Sequence, residues 1–141
     1  MSADATFDED GRYVAVTDGF TVRVKPVYLP RQSDPAAGRY VWAYEITIEN
    51  RSDTTAQLIS RYWRITDGNG RVEEVEGPGV VGEQPVLNPG ESHSYASGCP
   101  LPTPSGIMAG HYEMVSAEGE PFRIEVPAFS LDLPDGGRAL N

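Results

Sequence analysis

Apolar and polar residues alternate along most of this chain, and nowhere does the 3.6-residue periodicity of an amphipathic helix hold over a useful length. Phe20, Val22 and Val24 alternate with Thr21, Arg23 and Lys25, which predicts a first strand ending near Tyr28 and Leu29. From Arg39 onward, Tyr40, Trp42, Tyr44, Ile46 and Ile48 fall on one side and Glu45, Thr47 and Glu49 on the other, the pattern of a half-buried strand. Residues 57–66 read as a third strand with Ile59, Trp63 and Ile65 on one face, interrupted by Arg61. The two Asx-Gly pairs in Asp67-Gly68-Asn69-Gly70 then predict a hairpin. Residues 71–76 return as a short acidic edge strand, in which Val72 and Val75 share a face only across a bulge. Asn88-Pro89-Gly90 is a turn with φ fixed by proline, followed by a polar strand over 91–97 carrying His93 and Tyr95. Cys99 falls in the proline-rich loop after it. Residues 110–117 place Tyr112 and Met114 opposite His111, Glu113 and Val115, and Glu118-Gly119 turns into Phe122, Ile124 and Val126. After Pro127 the alternation resumes at Phe129, Leu131 and Leu133. About seven strands with frequent turn signals and no crossover helix predict an all-β fold, an antiparallel sandwich ahead of a small closed barrel.

The length of 141 residues matches one domain, and 15 glycines and 12 prolines fit a chain dense in turns. Net charge is -10, which opposes binding of nucleic acid. Between Val72 and Phe122 there is no Lys or Arg, only Glu73, Glu74, Glu76, Glu83, Glu91, Glu113, Glu118 and Glu120. That stretch forms either a solvated acidic surface or a face for a basic partner or a divalent cation. Met1 to Asp10 has no base and no apolar run, unlike a secretory signal, and no segment is apolar over the ~20 residues a membrane helix requires. Cys99 is the only cysteine, so no disulfide closes within the chain. A cytoplasmic protein without a membrane anchor is expected, with a flexible acidic extension over residues 1–16 and a frayed tail over 135–141.

Candidate chemistry is sparse. Gly77-Pro78-Gly79-Val80-Val81-Gly82 has the spacing of a dinucleotide-binding glycine loop, which uses the following helix N-terminus to hold phosphate. Pro85 and Pro89 and the valines oppose that helix, and no basic residue lies nearby in sequence, so a structural turn fits better than an anion cradle. If phosphate does bind there, Arg61, Arg64 and Arg71 are the countercharges to bring in across a sheet. His93, His111 and Glu113 would form a metal set only under one particular strand pairing. Cys99 and the serines lack any nucleophile motif, so no enzyme is indicated. Tyr62 and Arg64 lie on the face opposite Trp63, and an exposed Tyr-Arg pair is the composition of a protein-binding hot spot.

The residues Arg39-Tyr40-Val41-Trp42, Arg61-Tyr62-Trp63, Thr66-Asp67-Gly68-Asn69-Gly70-Arg71, Gly77 to Gly82 with Gln84-Pro85, Pro89-Gly90-Glu91 and Gly110-His111-Tyr112-Glu113-Met114 occur in the order found in the ApaG protein family, which the chain resembles from about Thr17 to Pro134. The resemblance implies a β-sandwich of the immunoglobulin or fibronectin type III kind. It also implies a role in protein interaction, because similar domains occur in F-box proteins and in a DNA-polymerase-interacting protein. The family's association with magnesium and cobalt tolerance and with diadenosine polyphosphates implies two other ligand classes. Its glycine motif maps onto Gly77, Gly79 and Gly82, where Pro78 removes one amide donor. The resulting expectation is a domain over residues 17–134 that is a non-catalytic binding module with no cofactor and an unidentified protein partner. Gly77, Gly79, Gly82, Tyr62 and Arg64 form its binding face. Binding of phosphate or a dinucleoside polyphosphate at Gly77 to Gly82, or Mg/Co capture by Glu73, Glu74 and Glu76 with His111, is the alternative. The exposed sheet edges also allow a homodimer.

Overall fold

A computed structural model describes residues 6–134. It contains nine strands: β1 (Tyr13–Thr17), β2 (Phe20–Tyr28), β3 (Tyr40–Asn50), β4 (Ala56–Asp67), β5 (Val72–Pro78), β6 (Val86–Leu87), β7 (Ser92–Leu101), β8 (Gly106–Ser116) and β9 (Pro121–Leu131). Strands in the order β1-β2-β3-β7 make one sheet, and β5-β4-β8-β9, with β6 beside β4, make the other. All pairings are antiparallel, and the two sheets face each other as an open sandwich, so the barrel alternative falls. Among the described residues the only helical segments are two single 3-10 turns between β2 and β3, and no helix is long and apolar enough to cross a membrane.

The alternation read from the sequence places the core. Phe20, Val22 and Val24 of β2, Trp42, Tyr44, Ile46 and Ile48 of β3, and Met108, Tyr112 and Met114 of β8 are all buried between the sheets. Phe129 of β9 holds the centre, its ring 5.8 Å from Tyr44 and 5.9 Å from Trp63, so an aromatic cluster spans both layers. Gly110 of β8 is directly opposite Trp63, and a Cβ there would collide with the Tyr62 carbonyl and the Trp63 ring. Only glycine lets the indole lie against β8 at that point. Asn50 is fully buried but satisfied: its amide donates to the carbonyls of Thr54 and Leu87, and its oxygen accepts from the Ser52 amide and hydroxyl.

Five expectations need correction. The N-terminal extension expected over 1–16 is not all extension: residues 1–5 lie outside the described residues, but β1 pairs with β2 from Tyr13 to Thr17 and Phe7 bridges to Tyr13. The tail over 135–141 also lies outside the described residues. Strand β5 pairs with β4 in unbroken register, so the bulge expected between Val72 and Val75 is absent, and Val72 is exposed instead. The bulge belongs to β4, where Ile59 is an extra residue against β8 between Leu58 and Ser60. That extra residue puts Leu58 rather than Ile59 on the inner side that Arg61 and Trp63 share. A second bulge, at Pro127 and Ala128, makes 121–131 one strand where the sequence suggested two. Finally, β7 continues through Gly98 to Leu101, placing Cys99 in a strand opposite Trp42 with its side chain buried, not in a loop.

Candidate functional site

The outer face of the β5-β4-β8-β9 sheet carries a continuous chain of polar contacts. Alternation directs Tyr62 and Arg64 of β4 outward, opposite the inward Trp63, as the sequence implied. Strand β8 pairs beside β4 so that His111 is directly across from Tyr62, and the two rings stack with centroids 4.9 Å apart and planes 24° from parallel. On one side the Tyr62 hydroxyl donates to the Glu74 carboxylate of β5 at 2.6 Å. On the other, His111 Nε2 lies 3.1 Å from Glu113 Oε2, and the same oxygen accepts from Arg123 Nε of β9 at 3.0 Å. Five side chains from four adjacent strands are thus linked edge to edge. The hydrogen bond to Glu74 raises the Tyr62 phenol above its ordinary pKa, with partial burial and the charges of Glu74 and Glu76 adding to it. A phenol held protonated in this way is a hydrogen-bond donor and not a base.

Two shallow grooves flank the Tyr62-His111 stack. One, of about 520 Å³, runs along Ser60, Arg61, Glu76, Gly77, Gln84 and Arg123; the other, of about 370 Å³, is bordered by Arg64, Ala109, Gly110, Glu125, Pro127 and Ala15. Tyr62 and His111 line both. Arg64 is exposed, across from Glu74 on one side and Ala109 on the other.

The glycine motif forms a turn next to the first groove. Val80 and Glu83 exchange both backbone hydrogen bonds, at 2.8 and 3.0 Å, leaving Val81 and Gly82 as the two central residues of a tight hairpin at φ +47° and +79°. Gly79, at φ +63°, donates its amide to the carbonyl of the bulged Ile59, which also accepts from Gln84 Nε2. Arg61 Nη1 donates to the carbonyls of Pro78 and Gly79, and its guanidinium packs over Gly77. The amides of Gly79, Val80 and Glu83 are therefore bonded within the chain, and a Cβ on Gly79 would strike the Glu83 carbonyl. A dinucleotide loop directs its amides at a phosphate and leads into a helix; this one closes on itself and leads into β6. Of the three motif glycines only Gly77 lines the groove, beside Pro78 and Gln84, whereas Gly79 and Gly82 belong to the turn.

The structure separates the other candidates. His93 is on β7 facing inward, half-buried, in the sheet opposite to the one that carries His111, so the pairing that would have joined them is not formed. Glu74 and Glu76 project outward with Tyr62, whereas Glu73 takes the alternate side of β5, so the three glutamates do not converge. Among the described residues no group of three or more His, Cys, Asp or Glu side chains is placed to hold a metal ion. Burial pushes the Cys99 thiol up to about 11, as expected of an inert packed cysteine. What sequence reasoning missed is the partnership of Tyr62 with His111, Glu113 and Arg123. His111 and Glu113 can be placed on one face from their spacing, but which strand they adjoin is fixed by non-local pairing.

The ApaG domain profile matches residues 30–116, which include the β4 bulge at Ile59 and the Tyr62-His111 stack. Protein ApaG of Mesorhizobium japonicum is 64% identical over 129 residues, covering 92% of this chain and 99% of its own. Protein ApaG of Brucella canis is 60% identical over the same length and shares of both chains. The crystal structure of an ApaA protein from Bordetella pertussis superposes with a TM-score of 0.80 at 53% identity, over 82% of this chain and 94% of the other.

Proposed function

Because the chain belongs to the ApaG domain family, we propose that it is a non-catalytic β-sandwich binding module that engages a protein partner through the outer face of the β5-β4-β8-β9 sheet. The observation that carries this reading is the linked row Glu74, Tyr62, His111, Glu113 and Arg123, flanked by the two grooves. Tyrosine and arginine presented on a rigid sheet give large contact area at little cost in side-chain entropy, because their neighbours already fix the rotamers. Two further observations support the wider reading. The order β2-β3-β7 against β5-β4-β8-β9 fits an immunoglobulin or fibronectin type III-like sandwich. The single cysteine, free and buried, fits a reducing cytoplasmic compartment. The net charge of -10 argues against nucleic acid as the ligand.

The test is an affinity capture from cell extract with tagged wild type, Tyr62→Ala, Arg123→Ala and, as a control on the opposite sheet, Lys25→Ala, quantified by mass spectrometry. A protein retained by wild type and Lys25→Ala but depleted by both outer-face variants is expected. Equal recovery on all four baits would refute the assignment of this face.

A further inference from the structure

We propose that the outer edge of β5 is a docking site for an extended basic segment of a partner protein, added as a further strand of the sheet. This rests on the reading of the protein as an interaction module and names the chemistry of what it binds. Strand β5 is the end of its sheet and pairs only with β4. The direction of its backbone groups follows from two bonds at the ends of the ladder: Asp67 N–H donates to the Arg71 carbonyl, and Gly79 N–H donates to the Ile59 carbonyl. In an antiparallel pair the bonded positions alternate, so Arg71, Glu73, Val75, Gly77 and Gly79 face β4, and the amides and carbonyls of Val72, Glu74 and Glu76 point away from it. Pro78 comes next on that edge and has no amide to offer, so it marks where added pairing stops.

Charge selects the occupant. Glu74 and Glu76 are on the outer face at alternate positions, in a segment with no Lys or Arg from Val72 to Phe122. An acidic edge repels a second copy of itself, which protects a chain of net charge -10 from self-pairing, while it attracts Lys or Arg at every second position of an added strand. The intervening side chains of that strand would point to the other face. There the open margin between β5 and β7 forms a notch of about 360 Å³ bordered by Ile65, Val72, Pro100 and Leu101, with Arg71 and Glu73 at its rim. The pattern recognised is therefore alternation of basic and apolar residues, with main-chain bonds providing affinity and the two faces providing specificity.

A short synthetic peptide alternating lysine and valine, its glutamate-for-lysine counterpart, and a version with a central proline serve as probes, titrated into isotope-labelled protein. With the lysine peptide, the amides of Val72, Glu74 and Glu76 should shift saturably and become protected from hydrogen exchange. The other two peptides should leave those amides unchanged, and added salt should weaken the complex. Glu74→Gln with Glu76→Gln should weaken binding about tenfold or more without unfolding the protein. Glu76→Pro, which removes one outward amide and no β4 bond, should abolish the protection. Equal response to the lysine and glutamate peptides would overturn the assignment of a basic occupant, and no protection at Val72, Glu74 and Glu76 would overturn edge pairing. Shifts confined to Tyr62 and His111 would also overturn it, while leaving the outer face itself as an interaction surface.

Discussion

The phenols of Tyr95 and Tyr112 meet between the sheets with their oxygens 2.6 Å apart, the one hydrogen bond either hydroxyl makes among the described residues. Tyr112 is 0% exposed, and burial raises its pKa well above the ordinary value, with Tyr95 adding to the rise. Replacing Tyr95 by Phe strands the Tyr112 hydroxyl where no water reaches it, which costs about 1–3 kcal/mol. Replacing Tyr112 by Phe leaves the half-buried Tyr95 hydroxyl closer to solvent and should cost about 0.5–1.5 kcal/mol. The double Phe variant removes both polar groups without changing shape, so its cost should be about 0–1 kcal/mol, well below the sum. Urea unfolding of the four proteins, with midpoints read at unchanged slope, measures the cycle. The double variant should fall short of the sum of the single costs by roughly 1 kcal/mol or more. Additivity to within about 0.3 kcal/mol would refute the claim that the two hydroxyls depend on each other.

Val81 is a β-branched residue in the left-handed region and is 63% exposed, so Val81→Asn should stabilise the protein by about 1 kcal/mol, seen as a higher melting temperature. Glu49 is held below its ordinary range first by its close ion pair with Arg23, whose Nη1 lies 2.6 Å from Glu49 Oε2. The stability it contributes is complete above its unfolded value near 4.5 and is lost as pH falls through its lowered folded value, so Glu49→Gln should flatten the acid limb of a stability-against-pH curve. The tyrosines act at the other end. Tyr44, Tyr95 and Tyr112 are raised by burial above 10, so stability should fall as pH rises past 10 and the unfolded phenols ionise first, as followed by phenolate absorbance. Cys99, moved from 9.0 to about 11, should react with iodoacetamide about a hundredfold more slowly in the native protein than in urea at the same mildly alkaline pH.

The strands were legible where one face is buried and the other wet. β2, β3 and β8 alternate without interruption, and their inward residues are the core. Phase changes were visible but ambiguous. The shift from Ile124 and Val126 to Phe129 and Leu131 marks the bulge at Pro127, yet it reads equally as two strands. Leu58 and Ile59 are both apolar, so the sequence does not say which of them is the extra residue; the β8 register decides, with Leu58 opposite Met114 and Ser60 opposite Glu113. β1 was hidden because Tyr13–Thr17 adjoins an acidic stretch, and only its pairing with β2 explains its order. At the candidate site, the outward direction of Tyr62 and Arg64 followed from Trp63 alone. Their neighbours His111 and Arg123 did not, since β4, β8 and β9 are brought side by side by contacts distant in the chain.

Each layer of the sandwich carries one of the two tryptophans, Trp42 in β3 and Trp63 in β4. Trp42 donates its indole N–H to the Asp132 carbonyl just past the last strand, whereas Trp63 is edge-on to Tyr44 and Phe129 at the midplane. The protein therefore contains two built-in fluorophores with different surroundings. Emission from single-tryptophan variants would report the release of the C-terminal strand and the separation of the layers as distinct optical events, with no added label.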